Sequence, residues 1–366
     1  MGSWRLRENF DWLTFLVMLL LAGWGVLTIY SATSGKPDGP LHQLYTKQLT
    51  WLAYGFVAFL VALLVDYHYV GKYAYVIYGI AVLSLLAVLT ISPPVQGAQR
   101  WLGVGGVRVQ PSEFAKIALI LALAHYFAES QKLTPRGLLD LLKPALLTIV
   151  PFLLIVKQPD LGTALIILVI FVGLALCVGI QRRTFLLLCA LVLAALPLLW
   201  LVMQDYQRSR VLTLLNPGSD PRGAGYHSMQ SLIAIGSGGV WGKGMFQGTQ
   251  SRLDFLPEKH TDFIFGVVSE ELGFFGSTLL ILLYLALIAR GVTTALKARD
   301  RLGALLALGI VVLFSVTTAA NIGMTIGVAP VVGIPLPFMS YGGSSLVSMM
   351  FAFGLLLNVR LRRYSF

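Results

Sequence analysis

Charged residues are scarce in this chain of 366 residues. Asp, Glu, Lys and Arg together make up 12% of it, about half of the roughly 25% that is usual in soluble domains. Hydrophobic residues make up 57%, and the mean hydropathy is +0.80. The shortage of charge argues against a soluble globular protein and predicts an integral membrane protein.

Cysteine and acidic residues are also few. The two cysteines, Cys177 and Cys189, both fall in apolar runs, so we expect small packing residues and no disulfide. Acids number 16 against 27 Lys and Arg, which gives a net charge of +11. Basic loops that face anionic membrane lipids explain this excess, so no nucleic-acid partner is expected.

Long hydrophobic runs, by contrast, fill the chain. A helix needs about 20 mostly apolar residues to cross a bilayer. The sequence predicts ten such spans, near residues 13–32, 49–66, 73–91, 112–128, 141–157, 161–180, 184–203, 262–289, 303–326 and 337–358. Because they follow one another closely, residues 1–366 are predicted to form a single transmembrane domain, an all-α polytopic fold.

Basic residues indicate how the spans are oriented. They are more numerous in the loops on the side of the N-terminus, so both termini are predicted to be cytoplasmic. Residues 204–260 then form one long loop on the outer side. Within it, "GYHSMQSLIAIGSGG" (225–239) places Met229, Leu232, Ile233 and Gly236 at helical spacing, which predicts a short amphipathic helix at the membrane surface.

A glycine-rich stretch, "GSGGVWGKG" (236–244), follows this helix. Its spacing does not match a nucleotide-binding P-loop. Two interpretations remain open: a turn whose backbone N–H groups and Lys243 bind an external phosphate, or a flexible turn without a ligand.

Three carboxylates are predicted near the outer ends of spans, at Glu113, Asp160 and Asp262. For the first two, ion pairs inside the bundle are an equal alternative, Glu113 with Lys116 and Asp160 with Lys157. Glu270 and Glu271 lie about two turns deeper than Asp262, and the sequence favours a role in packing or helix pairing for them at least as much as a role in the chemistry.

Asp262 differs from the other acids in its surroundings. Thr261 is the predicted N-cap of the eighth span, which places Asp262 in the first helical turn. The face that continues through Gly266, Ser269 and Gly273 is small and polar, so it is expected to meet protein or a cavity. A capping acid without catalytic function is the alternative.

A lone carboxylate among cations suits glycosyl transfer from a lipid pyrophosphate. The pyrophosphate leaves readily once its charge is stabilised by Arg, Lys or a divalent ion, so a single general base suffices. The basic residues predicted near Asp262 are Lys116, Arg208, Arg210, Lys243, Lys259 and His260.

Several motifs resemble the shape, elongation, division and sporulation family, and its RodA branch in particular. The longest is "GTQSRLDFLPEKHTDFIFGVVSEELG" (248–273), and "RVQPSEFAK" (108–116), "QPDLGTA" (158–164), "NIGM" (321–324) and "GIPLPFMSYGGSS" (333–345) follow the same pattern. The division-specific FtsW branch shares the core of the longest motif but usually differs before it.

The resemblance implies a peptidoglycan polymerase with ten transmembrane helices at the bacterial inner membrane, its active site facing the periplasm. Lipid II and the nascent glycan strand are the implied substrates, and a class B penicillin-binding protein of the rod complex (the elongasome) is the implied partner. Asp262 is the implied catalytic base. The implied substrate-binding residues are Glu113, Lys116, Asp160, Arg100, Arg210, Lys259, His260 and Ser340. Lys243, one of the basic residues predicted near Asp262, is a further candidate.

Further expectations stay open at this stage. A divalent cation, Mg or Mn, is the candidate cofactor at the pyrophosphate. The rival functions are a lipid II flippase, which the intramembrane Glu113 and Lys116 also suit, and a noncatalytic scaffold for the penicillin-binding protein.

Overall fold

The structure, a computed structural model, describes residues 10–34, 43–92, 99–104, 107–130, 134–203, 205–215 and 223–364. These residues are almost entirely helical, which confirms the predicted all-α polytopic fold. The helices are α1 (Trp12–Thr33), α2 (Leu44–Leu64), α3 (Tyr67–Lys72), α4 (Ala74–Ile91), α5 (Pro111–Glu129), α6 (Leu138–Lys157), α7 (Leu161–Val178), α8 (Arg182–Val202), α9 (Asp205–Leu215), α10 (Ala224–Gly238), α11 (Thr249–Arg252), α12 (Ile264–Leu296), α13 (Arg301–Thr325) and α14 (Gly343–Leu361). Between α4 and α5, β1 (Leu102–Val104) pairs antiparallel with β2 (Val107–Val109).

Ten of these helices correspond to the ten predicted spans. Within the described residues, eight are long and apolar enough to cross a membrane: α1, α2, α4, α6, α7, α12, α13 and α14. The other two are α5, which carries buried charges, and α8. The last predicted span begins later than expected, at Gly343 rather than near residue 337, because the prolines at 335 and 337 lie in non-helical chain.

The centre of the bundle is formed by α5, α13 and α14. Residues 117–124 of α5 are buried on every side of the helix, as expected for a helical stretch that is apolar all round. Small residues let neighbouring helices approach closely. A Cβ at Gly354 of α14 would lie 2.5 Å from the carbonyl oxygen of Phe59 in α2, and one at Gly309 of α13 would meet Ile120 of α5 at the same distance.

Chain order determines which helix ends lie together. The end of α4, the start of α5, the α6–α7 turn and the start of α12 share one end of the bundle, which we call the Asp262 end. The start of α4, the end of α5, the start of α6 and the end of α12 share the opposite end.

The long loop predicted at 204–260 contains α9, α10 and α11, while its residues 204 and 216–222 lie outside the described residues. The predicted helix is confirmed as α10. Its apolar residues Met229, Leu232 and Ile233 are each about 40% exposed, whereas Ser231 and Ala234 are buried. The exposed apolar side agrees with a helix that lies against a membrane surface.

Candidate active site

Asp262 lies in a tight turn immediately before α12. The N–H groups of Thr261 and Asp262 both donate to the carbonyl of Glu258, at 3.1 Å each. Helix α12 begins at Ile264 with Phe263 as its N-cap. The predicted N-cap role of Thr261 is therefore wrong, because the turn ends two residues later than the apolar pattern indicates.

Three consecutive carbonyls hold this turn in place. The N–H of Tyr341 donates to the carbonyl of residue 260 at 2.8 Å, and the hydroxyl of Ser340 donates to that of residue 261 at 2.5 Å. The side-chain amide of Asn321 donates to the carbonyl of Asp262 at 2.9 Å and to that of Ile334 at 2.7 Å. Asp262 is thereby attached to α13 and to the segment before α14.

Ser340 has a structural role in this turn. Its hydroxyl also accepts from the N–H of Leu336 at 2.8 Å, and the residue is 4% exposed. The hydroxyl is thus already engaged in positioning the turn. A direct contact between Ser340 and substrate stays a prediction.

Burial and neighbouring charges shape the chemistry of the Asp262 carboxyl. The residue is partly buried. Burial raises the pKa of its carboxyl from 3.8 to about 7, and the charges of Glu258 and Asp160 add to the rise, while those of Arg210 and Arg100 oppose it. Such a group is half ionised near neutrality, which suits a general base.

Asp160 and Arg100 form the neighbouring part of the site. The Asp160 carboxylate caps α7 by accepting from the N–H and the hydroxyl of Thr163 at 3.2 and 3.0 Å. Arg100 approaches Asp160 to 4.0 Å and donates to the carbonyls of Gln158 and Pro159. The alternative pairing of Asp160 with Lys157 is wrong, because Lys157 is exposed and the cation at Asp160 is Arg100.

Glu113 and Lys116 form the predicted ion pair, one turn apart in α5. The Lys116 ammonium lies 2.7 Å from the Glu113 carboxylate, and both residues are 3% exposed. Ser348 of α14 donates to the other carboxylate oxygen at 3.4 Å. The pair is therefore buried between α5 and α14 near the Asp262 end of the bundle, and its role in binding substrate stays a prediction.

The two basic residues just before Asp262 have different environments. Lys259 is buried and its ammonium lies 2.6 Å from the Asp254 carboxylate, so it braces the turn. Burial lowers the pKa of His260, which favours the neutral form of its imidazole. Its Nδ1 is buried without a hydrogen-bond partner among the residues that the structure describes.

The glycine-rich stretch repairs a break in α12. Gly273 interrupts the helix with a φ of 64° and a ψ of −157°. The N–H groups of residues 243–244 donate to the carbonyls of residues 270–271 at 3.0 and 2.9 Å, and the N–H groups of residues 274–275 donate to the carbonyls of residues 239–240 at 2.9 and 3.3 Å. Backbone groups that the break would leave unpaired are thus bonded.

The close packing of the glycine-rich stretch against α12 explains why this stretch needs glycine, and it bears on the phosphate-turn interpretation. A Cβ at Gly242, whose φ is +79°, would lie 2.1 Å from the carbonyl oxygen of Glu271. The Lys243 ammonium lies 2.8 Å from the fully buried Glu270 carboxylate, which also accepts from backbone N–H groups of α11. Of the two open interpretations, the backbone phosphate site is therefore wrong, because the N–H groups of residues 243 and 244 already donate to α12. A contact of Lys243 with substrate stays a prediction.

A divalent cation finds limited support in the donor set. No cluster of three or more His, Cys, Asp or Glu suited to a metal occurs in the described part of the chain. Mg²⁺ is often held by one or two carboxylates together with substrate phosphates. Asp262 has the charges of Glu258 and Asp160 near it, and a Mg or Mn ion shared with the pyrophosphate stays a prediction.

Sequence reasoning missed Asn321 and Glu258 as parts of this site. Asn321 lies within the quoted "NIGM" motif and is fully buried. A buried amide in an apolar span is a signal that could have found it, because buried polar groups need partners.

Known proteins resemble this chain over almost its whole length. The family model of FtsW, RodA and SpoVE, described as cell cycle protein, matches residues 11–365. Escherichia coli (strain K12) peptidoglycan glycosyltransferase MrdB is 41% identical over 98% of this chain and 95% of its own length. Treponema pallidum peptidoglycan glycosyltransferase RodA is 34% identical, with 97% and 98% covered.

Solved structures share the fold over 98% of this chain. A chain of a peptidoglycan synthase complex, described for its structural coordination of polymerization and crosslinking, matches with a TM-score of 0.83 and 31% identity over 98% of this chain and 99% of that one. The crystal structure of the Thermus thermophilus rod shape determining protein RodA matches with a TM-score of 0.72 and 28% identity, covering 98% of each chain.

Proposed function

The chain belongs to the cell cycle protein family of FtsW, RodA and SpoVE, and from that premise we propose that it joins lipid II disaccharides into β-1,4 glycan strands. It is a peptidoglycan glycosyltransferase with a multi-pass membrane fold. The observation that carries the proposal is the partly buried Asp262, whose pKa of about 7 is set by burial and by charges that include two arginines.

The reaction is one in-line displacement. The acceptor 4-hydroxyl attacks C1 of the donor sugar, the new C1–O4 bond forms, and the bond from C1 to the lipid pyrophosphate breaks. Asp262 takes the proton of the hydroxyl and becomes neutral, and the electron pair of the broken bond leaves with the lipid pyrophosphate. Because the donor is α-linked and the product is β-linked, the configuration at C1 inverts.

Arg100 and Arg210 are assigned to the leaving pyrophosphate. Their charges act on Asp262, so they are close enough to act on an anion beside it. Arginine holds phosphate oxygens with several N–H donors and keeps its charge. Cationic groups aimed at charge that develops in the transition state are usually a large part of catalysis.

The proposed setting is the bacterial inner membrane during cell elongation, with the Asp262 end facing the periplasm. A class B penicillin-binding protein of the rod complex is the proposed partner. The likeness to a chain of a peptidoglycan synthase complex supports such a partner.

Reconstitution with lipid II tests the function and separates it from the flippase. The full chain is placed in vesicles with fluorescent lipid II, and glycan strands and transbilayer movement are measured in the same sample. We expect polymer without transport. Transport without polymer would contradict the proposal, and neither activity in the presence of the penicillin-binding protein would favour a scaffold.

A further inference from the structure

A groove of about 440 Å³ lies between α4, α5 and α6. It runs from the end of the bundle opposite Asp262 toward the middle. Its lining consists of Tyr75, Tyr78, Tyr126, Lys143, Leu146, Leu147 and Val150. Leu146 and Val150 are 54% and 43% exposed, so the groove opens outward from the bundle, where lipid surrounds a membrane protein.

Two prolines explain why the groove has an apolar wall. Pro144 and Pro151 lie inside α6, and each lacks the N–H that would bond the carbonyl four residues earlier. The hydroxyl of Tyr126 donates to the freed carbonyl of residue 140 at 3.3 Å, and that of Tyr78 donates to the freed carbonyl of residue 147 at 2.8 Å. Both hydroxyl donors are thus committed to α6, and the rings line the groove.

Lys143 is the charged member of the lining. It is exposed, and across the described ranges its ammonium has no ion pair. It lies near the start of α6, where a long side chain can lay its stem along apolar surface and keep its ammonium at the polar boundary of a membrane.

We propose that this groove binds an anionic phospholipid, with an acyl chain along the tyrosine wall and the headgroup phosphate against Lys143. The volume is that of a small-ligand site, roughly 300–1,000 Å³. A partner helix, about 30 Å long and about 10 Å wide, is too large for it. The lining carries a cation and no acid, so it complements an anionic headgroup rather than one with its own cation.

Native mass spectrometry of the full chain in detergent tests this site. The probes are dioleoyl phosphatidylglycerol and dioleoyl phosphatidylcholine, which differ in the headgroup alone. We expect about fivefold higher retention of the anionic lipid, as one lysine at a membrane surface typically supplies. Equal retention of the two lipids would overturn the proposal.

Three variants separate the headgroup contact from the groove. Lys143→Gln should abolish the preference for the anionic lipid and Lys143→Arg should keep it. Val150→Trp should fill the groove and lower the retention of both lipids. The matched controls are Lys297→Gln, an exposed lysine at the same end of the bundle, and Val172→Trp, a valine of similar exposure on α7.

These results distinguish a specific lipid site from general electrostatic attraction between the lipid and basic residues. The site is supported if Lys143→Gln loses the preference for the anionic lipid and Val150→Trp loses retention of both lipids, while both controls retain lipid as the wild type does. Wild-type retention in Val150→Trp, or equal loss in Lys297→Gln, would overturn it, because charge without the groove would then explain the binding. The readout involves no glycosyl transfer, so its failure leaves the proposed function untouched.

Discussion

The pKa of Asp262 makes a quantitative prediction for the pH dependence of polymerisation. The carboxylate, and not the carboxyl, accepts a proton, so activity is lost as pH falls through about 7. The active fraction is about nine-tenths at pH 8, about half at pH 7 and about one-tenth at pH 6. An acid with the ordinary pKa of 3.8 would show almost no change over this range.

Two charge variants test the physical origin of this profile. Glu258 raises the pKa of Asp262 and Arg210 lowers it. Glu258→Gln should therefore move the acid limb to lower pH, and Arg210→Gln should move it to higher pH. The assay is the initial rate of glycan-strand formation from saturating lipid II between pH 5.5 and 8.5. Glu129→Gln, which removes an exposed acid at the opposite end of the bundle, is the control.

The signs of the two shifts can refute the reasoning. The reasoning fails if the acid limbs of Glu258→Gln and Arg210→Gln move in the same direction, or if the wild-type profile is flat from pH 6 to 8. Either result would mean that the ionisation of Asp262 does not limit the rate. A shift in Glu129→Gln as large as that in Glu258→Gln would show that net charge, and not proximity, sets the profile.

Three further predictions concern stability. The folded state holds the Asp262 proton more tightly than the unfolded state, so the free energy of unfolding falls as pH rises from about 4 to 7. Asp262→Asn should therefore raise the free energy of unfolding by up to about 4 kcal/mol at pH 8 and by almost nothing at pH 4. Chemical unfolding measures both values. Glu113→Gln should cost roughly 3–5 kcal/mol by leaving the Lys116 charge buried and unpaired, while the double variant with Lys116→Met should recover most of the loss; a single variant as stable as wild type would contradict this. Gly242→Ala should lower the melting temperature by clashing with the α12 backbone, whereas Gly236→Ala, where the added Cβ meets open space, should not.

Local spacing accounts for what the sequence could predict. The pair of Glu113 and Lys116 follows from a separation of three residues on one helix, and structure and prediction agree. The helix at Ala224–Gly238 follows from its apolar periodicity in the same way. Both features depend on residues close together in the chain.

Long-range contacts account for what it could not. The cation at Asp160 is Arg100, sixty residues earlier, so neighbouring charge pointed to the wrong lysine. The glycine-rich stretch resembles a phosphate turn, but its N–H groups donate to carbonyls of α12 beside the break at Gly273. No local sequence pattern reveals that break. Asn321 holds Asp262 from another helix.

The most direct test of the account is single-turnover polymerisation of lipid II by purified wild-type protein and the Asp262→Asn variant, each in complex with the penicillin-binding protein. Removing a general base should lower the rate by about 10²- to 10⁴-fold, with lipid II affinity and complex formation unchanged. A variant that forms glycan strands at nearly the wild-type rate would contradict the assignment of Asp262 as the base.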